Sequence, residues 1–344
     1  MKQIQKRILI FNVNWLGDVL FSTAAIRAVR RNYPSSFIAC IVPSRCYQIL
    51  RGNPHLDEII IYDEKDRHRG LVAMFKFVQY IRSKRFDMVF LLHRSLSRAL
   101  LCSLAGIPER IGHATKKRAF LLTKKIPPPD PHSMHRIDYY LDVIEKAGLK
   151  AEDRYTEFFF SPEDEAHARR FLDRQGIKDG DFVVGLSPAG NWIPKRWPQE
   201  YWARLADLLI ERLLAKVIIT GSAADMALAG RITNLMVNKP ILACGSFNLK
   251  QFSALCKRLD VLVSGDTGPL HIAHAVNTKN IIALFGPTSP AVTGPTPSGQ
   301  VVIVQKDVGC VLPCYITHCK EPRCMMAVTP EEVFAQVEKI MRNG

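Results

Sequence analysis

The alternation of short apolar runs with longer amphipathic stretches is the feature that most constrains how this chain of 344 residues can fold. In the first half, RILIF, FIACIV, EIIIY and MVFLL have the apolar, β-branched composition of buried strands, and the intervening stretches 18–33 and 70–84 have helical periodicity. Strands that are apolar on both faces and separated by helices form parallel sheets that are covered on both sides. The sequence therefore predicts an α/β fold.

This alternation is interrupted between Pro127 and Gly180 and then resumes with FVVGLS, KVIIT, PILAC, DVLVS, NIIALF and VVIV. Two similar halves joined by a looser middle predict two Rossmann-like, doubly wound parallel-sheet domains facing across a cleft. We expect an N-terminal domain over residues 1–165, a C-terminal domain over 166–328, and a final helix over 329–344 whose return onto the first domain stays open. Ligands of such sheets bind at the carboxyl ends of the strands, so we expect the working site in the cleft.

The net charge of +15 is the compositional feature that bears most on partners. It fits nucleic acid, an anionic membrane surface or anionic substrates. The sequence has no helix-turn-helix, zinc-finger or RNA-recognition signature, which disfavours nucleic acid. It also has no signal-peptide pattern and no apolar run of the roughly 18–20 residues that cross a bilayer, and we expect a cytoplasmic protein.

Four of the nine cysteines lie close together near the end of the chain, in GCVLPCYITHCKEPRC. The spacing of Cys310, Cys314, Cys319 and Cys324 differs from the C-x2-C pairs of familiar zinc sites. We expect reduced thiols in a packed loop, and a structural metal site is the alternative.

The first strand is followed by NVNWLGDVL, which places Asn14, Gly17 and Asp18 where a strand turns into a helix. Such junctions usually attract anions, because the first N–H groups of a helix are unpaired and its dipole end is positive. A carboxylate at this position either caps the helix or takes part in chemistry.

A second junction follows the strand FVVGLS and reads SPAGNWIPKRW. Ser187 and Gly190 make a turn of small residues that lets the backbone approach a phosphate, and Lys195 can supply a positive charge. An ordinary loop with a solvated Lys-Arg pair is the alternative.

Two further junctions, GSAADM and SGDTGPLHIAH, carry polar residues after predicted strands. In the second of these, Asp266 either caps the following helix or belongs to a site where the helix N–H groups hold a diphosphate. The candidate residues at these two junctions are Gly221, Ser222, Asp266, Thr267, Gly268 and His271.

Three blocks in order along the chain, NWLGDVLFSTAAIRAVR, SPAGNWIPKRWPQEYWARLADLL and SGDTGPLHIAHAVNTKNIIALFGPTSP, resemble the heptosyltransferases of glycosyltransferase family nine. The resemblance implies the GT-B architecture, with the acceptor received by the N-terminal domain and the sugar nucleotide by the C-terminal domain. It also implies inverting transfer of heptose from ADP-heptose to a hydroxyl of the lipopolysaccharide inner core, without a metal. Neither a metal nor a cofactor is expected, because ADP-heptose is a substrate.

The resemblance also implies roles for individual residues. Asp18 matches the proposed catalytic base, Lys195 the lysine that contacts the donor's phosphate or sugar, and Asp266 the acidic residue near the heptose, with Thr267 and Gly268 at the diphosphate. The other expected donor contacts are Ser187, Gly190, Gly221, Ser222 and His271. The expected acceptor contacts are Asn14, Gly17, Lys116, Lys117 and Arg118, and the acidic lipid acceptor implies a protein peripheral to the inner face of the cytoplasmic membrane.

Several alternatives stay open at this point. The small-residue turn of the second block does not distinguish heptosyltransferase I, II, III or a related transferase of the family. A sugar-nucleotide epimerase of the same architecture and a non-catalytic basic module that binds anionic lipid are the other candidates. The acceptor, the heptose stereoisomer and the oligomeric state are open as well.

Overall fold

The computed structural model describes residues 5–130, 133–295, 301–314, 316 and 318–343. The chain divides into two compact units, Met1–Phe159 and Phe160–Gly344. The division comes a few residues before the boundary expected at 165, because residue 165 lies inside a helix that begins at Pro162.

The first unit is a parallel α/β sheet with helices in its crossover connections. Its strands are β1 (Arg7–Phe11), β2 (Phe37–Val42), β3 (Glu58–Ile61), β4 (Met88–Leu91), β5 (Glu109–His113) and β6 (Lys124–Ile126). Its helices are α1 (Leu16–Phe21), α2 (Thr23–Asn32), α3 (Tyr47–Leu50), α4 (Leu71–Ser83), α5 (Leu96–Leu104) and α6 (Arg136–Lys146).

Among the described residues this sheet has six strands in the order β3-β2-β1-β4-β5-β6, and every neighbouring pair is parallel. The central strand β1 is buried from Ile8 to Phe11, as expected for a strand covered on both faces. The strand order reverses direction at β1 and β4, which makes the carboxyl ends of these two strands the expected binding position.

The predicted helix over 18–33 is divided at Ser22 into α1 and α2. The Ser22 hydroxyl donates to the Val19 carbonyl at 2.7 Å and accepts a hydrogen bond from the Asn12 amide at 2.8 Å. This buried pair fixes α1 directly above the end of β1.

The second unit repeats the architecture. Its strands are β7 (Val183–Ser187), β8 (Lys216–Ile219), β9 (Ile241–Leu242), β10 (Val261–Gly265), β11 (Ile281–Phe285) and β12 (Val301–Gln305). Its helices are α7 (Pro162–Arg174), α8 (Gln199–Leu213), α9 (Met226–Leu235), α10 (Leu249–Cys256), α11 (Gly268–Ala275), α12 (Pro290–Thr293), α13 (Arg323–Met326) and α14 (Pro330–Asn343).

Within the described residues this sheet also has six parallel strands, in the order β12-β11-β10-β7-β8-β9. Ser264, near the end of β10, is in register with Ser187 at the end of β7. The loops that follow these two strands therefore start side by side.

The final helix belongs to the second unit. Val333 and Val337 of α14 lie in the same hydrophobic core as β7, β10 and α8, and the buried indole of Trp197 donates to the Val328 carbonyl just before the helix at 2.9 Å. The apolar face of this helix is thus buried within the second unit, and its return onto the first domain stays a prediction.

Among the residues that the structure describes, no helix has both the length and the apolar character needed to cross a membrane.

Replacing Trp197 with Phe should lower the stability of the second unit by about 1–3 kcal/mol, because the buried Val328 carbonyl loses its donor. Urea unfolding monitored by circular dichroism measures this change. The control is Trp15→Phe, since Trp15 is exposed and its replacement should change stability by about 0.5 kcal/mol or less. An equal loss of stability in the two variants would contradict a stabilising role for the hydrogen bond between Trp197 and Val328.

Candidate active site

Asp18 lies in the first turn of α1, directly after the carboxyl end of β1. Its Oδ1 accepts a hydrogen bond from the hydroxyl of Tyr140 on α6 at 2.9 Å. Burial, together with the charge of Asp18, raises the pKa of Tyr140 well above its ordinary value. The tyrosine therefore keeps its proton near neutral pH and holds one oxygen of the Asp18 carboxylate in place.

Asn14 is fixed by neighbouring arginines. Its Oδ1 accepts a hydrogen bond from Nη2 of Arg98 at 2.6 Å, and its carbonyl accepts one from Nε of Arg45 at 2.9 Å. Nη1 of Arg98 also donates to the carbonyl of Asn12 at 2.8 Å. These bonds set the course of the loop between β1 and α1, while Gly17 lies inside α1 beside Asp18.

The three basic residues after β5 do not share one environment. Lys116 and Lys117 are exposed, but Arg118 is fully buried. Its guanidinium donates to the carbonyl of His113 at 2.9 Å and to that of His93, and burial lowers its pKa to about 10. The side chain of Arg118 therefore holds the ends of β4 and β5 together, and its expected acceptor contact stays a prediction.

Asp266 follows β10 directly, and its carboxylate is almost completely buried. Its Oδ2 lies 2.6 Å from Nζ of Lys195 and accepts hydrogen bonds from the hydroxyls of Thr288 at 2.7 Å and Thr293 at 3.3 Å. Its Oδ1 lies 3.2 Å from Nε2 of His271. Four side chains, from the segments after β7, β10 and β11, thus converge on one carboxylate.

This ring of donors determines the charge state of Asp266. Burial alone would raise the pKa of Asp266, but the hydrogen bond from His271 and the positive charge of Lys195 outweigh burial and hold this pKa well below its usual range. The carboxylate is therefore charged at neutral pH.

The helix α11 begins directly after this cluster. Thr267 occupies its N-cap position without a side-chain capping bond, and Gly268 is the first helical residue. A Cβ added to Gly268 would have open space around it, so no neighbouring atom crowds this side of the first helical residue. Asp266 is therefore not the N-cap of α11, and it turns its carboxylate to Lys195 instead.

The loop after β7 packs against the start of α11. A Cβ added to Gly190 would lie 2.9 Å from Cγ2 of Thr267, so a larger residue here would have to displace the Thr267 side chain. The Gly190 carbonyl accepts a hydrogen bond from Nε of Arg196 at 2.6 Å. Ser187 is buried at the end of β7, and Nζ of Lys195 lies 5.4 Å from the centre of the Trp192 ring.

The model of Glycosyltransferase family 9 (heptosyltransferase) matches residues 74–324. The chain belongs to this family. Lipooligosaccharide heptosyltransferase 2 of Haemophilus ducreyi is 26% identical over 97% of this chain and 99% of its own length. Lipopolysaccharide heptosyltransferase 3 of Escherichia coli is 28% identical over 79% of this chain and 80% of its own.

Solved structures agree with the fold. The crystal structure of the glycosyl transferase family 9 from Veillonella parvula has a TM-score of 0.88 and 26% identity, covering 100% of this chain and 99% of that one. The E. coli ADP-heptose lps heptosyltransferase II has a TM-score of 0.80 and 24% identity, covering 98% and 99%. The expected GT-B fold class is confirmed. As a member of family 9 the chain is a glycosyltransferase, which excludes the alternative of a non-catalytic module that binds anionic lipid.

Gly221 and Ser222 follow β8 in this glycosyltransferase, next to the end of β7. The hydroxyl and N–H of Ser222 bond the carboxylate of Asp225 at 2.6 and 2.8 Å. A Cβ added to Gly221 would lie 3.1 Å from Sγ of Cys244. These contacts shape the turn, and the donor-binding role of both residues stays a prediction.

The four cysteines near the end of the chain are unpaired thiols: Cys310 and Cys319 are exposed, and Cys314 and Cys324 are partly buried. In the described part of the chain, no group of three or more His, Cys, Asp or Glu side chains is arranged to hold a metal ion.

Several residues of the site are absent from the sequence-based candidates. Tyr140 lies in a helix far along the chain from Asp18, and Arg98 lies behind Asn14, so neither has a local signal. Thr288 lies within SGDTGPLHIAHAVNTKNIIALFGPTSP, the third block that resembles the family, and Thr293 lies just after it. The signal that could have indicated them is their hydroxyl groups after β11, the strand next to β10.

Asp266→Asn should destabilise the second unit by about 3–5 kcal/mol at pH 7, because Lys195 would be left with an uncompensated charge. The pKa of Asp266 is lower in the folded protein than in the unfolded chain, where it is about 3.9. The ionised carboxylate therefore contributes its full stability above about pH 4, and this contribution is lost as the pH falls further. The difference in the free energy of unfolding between this variant and the unsubstituted protein, measured with urea, should therefore become smaller below about pH 4. Asp179→Asn, at an exposed aspartate of the same unit, is the control, and a difference independent of pH would contradict this account.

Proposed function

We propose that the chain is an inverting, metal-independent heptosyltransferase that moves heptose from ADP-heptose to a hydroxyl of the lipopolysaccharide inner core. The relatives named as lipooligosaccharide and lipopolysaccharide heptosyltransferases support this substrate class. The observation that carries the proposal is the carboxylate of Asp18, oriented by Tyr140 at the end of the central strand of the first unit.

Asp18 acts as the general base in this proposal. Inversion at a sugar carbon requires a base that takes the acceptor's hydroxyl proton as the new C–O bond forms on the face opposite the leaving group. The bond between the anomeric carbon and the diphosphate oxygen breaks at the same time, and ADP leaves with the electron pair. A carboxylate with one oxygen bonded by Tyr140 is suited to this transfer, because its orientation is fixed in advance.

The second unit holds the donor in this proposal. The leaving diphosphate gains negative charge, which Lys195 and the N–H groups at Thr267 and Gly268 stabilise. Asp266 and His271 lie beside the heptose, and Asp266 fixes the position of Nζ of Lys195 through their 2.6 Å contact. Ser187, Gly190, Gly221 and Ser222 form the surrounding donor contacts.

The acceptor is an acidic, phosphorylated lipid oligosaccharide in this proposal, received by the first unit. Asn14 and Gly17 border Asp18, and the exposed Lys116 and Lys117 contact the negative groups of the acceptor. The protein then works in the cytoplasm, peripheral to the inner membrane where such a lipid is anchored.

Asp18→Asn should leave donor binding nearly unchanged and lower turnover by roughly 10²–10⁴-fold, the usual range for a lost general base. Release of ADP measures turnover, and calorimetric titration measures donor binding. Tyr140→Phe is the comparison variant: it keeps the base and loses one hydrogen bond, so turnover should fall only about tenfold. Near-normal turnover of Asp18→Asn would contradict this assignment and leave Asp18 with a structural role in α1.

Chelation should not change the rate, because Lys195 and the start of α11 supply the positive charge that a metal would provide. We expect the same release of ADP with EDTA as with added Mg²⁺. A large loss in EDTA that Mg²⁺ restores would contradict the metal-independent mechanism.

A further inference from the structure

The helix α4 has an unusual outward face at its start. Leu71, Val72 and Phe75 are 79, 70 and 62% exposed, whereas Phe77 and Val78 are buried in the core of the first unit. A surface helix normally presents polar side chains on the face opposite the core. A group of large apolar side chains on the outward face indicates an interaction surface.

The neighbouring helix extends this apolar surface. α5 packs beside α4, and Leu96, Leu100 and Leu104 recur every four residues along it, each about two-fifths exposed or slightly more. A spacing of four residues places side chains on one side of a helix. The start of α4 is therefore part of a wider surface that leaves apolar groups in contact with solvent.

The segment from Arg67 to the end of α4 is strongly basic. Between Arg67 and Phe86 the sequence contains six basic residues and no acidic one. Arg67, Arg69 and Lys76 are exposed beside the apolar side chains. The acidic residues that border this segment are Asp63, Glu64 and Asp66 before it and Asp87 after it.

Two of those acidic side chains are engaged in hydrogen bonds. Asp63 accepts from the N–H of Ser44 at 2.8 Å, and Glu64 accepts from the hydroxyl of Ser97 at 3.0 Å. Both carboxylates therefore bond uncharged donors rather than the side chains of Arg67, Arg69 or Lys76. Exposed apolar side chains flanked by Arg and Lys match the chemistry of an anionic lipid surface.

The position of this face in the fold also suits a lipid surface. α4 starts after the carboxyl end of β3, and Asp18 follows the carboxyl end of β1. Strands in a parallel sheet have their carboxyl ends at the same edge, so the apolar face and Asp18 lie at the same edge of the first sheet. Lys116 and Lys117, after β5, join this edge. Lys84 and Arg85, which precede β4, lie at the opposite edge.

We propose that the start of α4 is a membrane-docking surface, in which Leu71, Val72 and Phe75 enter an anionic bilayer while Arg67, Arg69 and Lys76 contact its headgroups. The glycine before the helix, Gly70, has a φ of +91°, which turns the chain sharply between the basic loop and the apolar turn. The proposal rests on the peripheral location given in the proposed function and assigns it to named side chains. Vesicle binding needs neither donor nor acceptor, so it can be measured separately from the reaction.

The test is sedimentation of the full chain with vesicles of phosphatidylglycerol and phosphatidylcholine, compared with vesicles of phosphatidylcholine alone. The double variant Leu71→Ser and Phe75→Ser should bind the anionic vesicles at least about tenfold more weakly, because two apolar side chains no longer enter the bilayer. The double variant Arg67→Gln and Arg69→Gln should also weaken this binding, by about fivefold per residue at low salt. Its effect should shrink at high salt, where charges are screened.

The matched control is Met226→Ser with Val237→Ser, which removes two exposed apolar side chains from the second unit. Its vesicle binding should equal that of the unsubstituted chain. Every substituted side chain is exposed, so all variants should fold. Thermal unfolding of each variant checks this.

Two results would overturn the proposal. One is equal vesicle binding by the Leu71→Ser and Phe75→Ser variant and the control variant. The other is a dimer of the unsubstituted chain in ultracentrifugation without lipid that this variant converts to a monomer, which would assign the apolar face to a second copy of the chain. Failure of the heptosyl transfer reaction would alter neither measurement.

Discussion

The buried carboxylate of Asp266 is the interaction on which the candidate donor site depends. A charge removed from water is stable only when hydrogen bonds and opposite charges replace its hydration. Asp266 obtains these from Lys195, His271, Thr288 and Thr293, which come from the segments after β7, β10 and β11. One ionised group therefore determines how three strand ends are arranged, and it holds the lysine that we assign to the leaving diphosphate.

The parallel sheets explain why the chemistry appears where it does. Each sheet brings the carboxyl ends of its strands to one edge, and the candidate base and the buried carboxylate both follow a central strand, β1 and β10. In the first unit the same edge carries the apolar start of α4 and the exposed lysines after β5. A lipid-anchored acceptor held at that edge would present its sugars on the side of the sheet where Asp18 lies.

Much of this organisation could be predicted from the sequence, because buried parallel strands have a strong apolar signal. β1 to β4 and β7 to β12 were all predicted, whereas β5 and β6 were missed because ERIGH and KKI carry polar and charged residues near the edge of the sheet. Asp18 and Asp266 were found as acids after strands. Tyr140 was not, because its bond to Asp18 joins distant helices. The burial of Arg118 could not be predicted either, because only the folded chain distinguishes it from the two exposed lysines before it.

Heptosyl transfer is tested most directly by incubating the full chain with ADP-heptose and vesicles that contain an inner-core lipid acceptor, then analysing both substrates by mass spectrometry and NMR. We expect the acceptor to gain the mass of one heptosyl residue, with one equivalent of ADP released and the anomeric configuration opposite to that of the donor. Conversion of ADP-heptose to an isomer without any gain of mass by the acceptor would contradict a transferase and point to an epimerase.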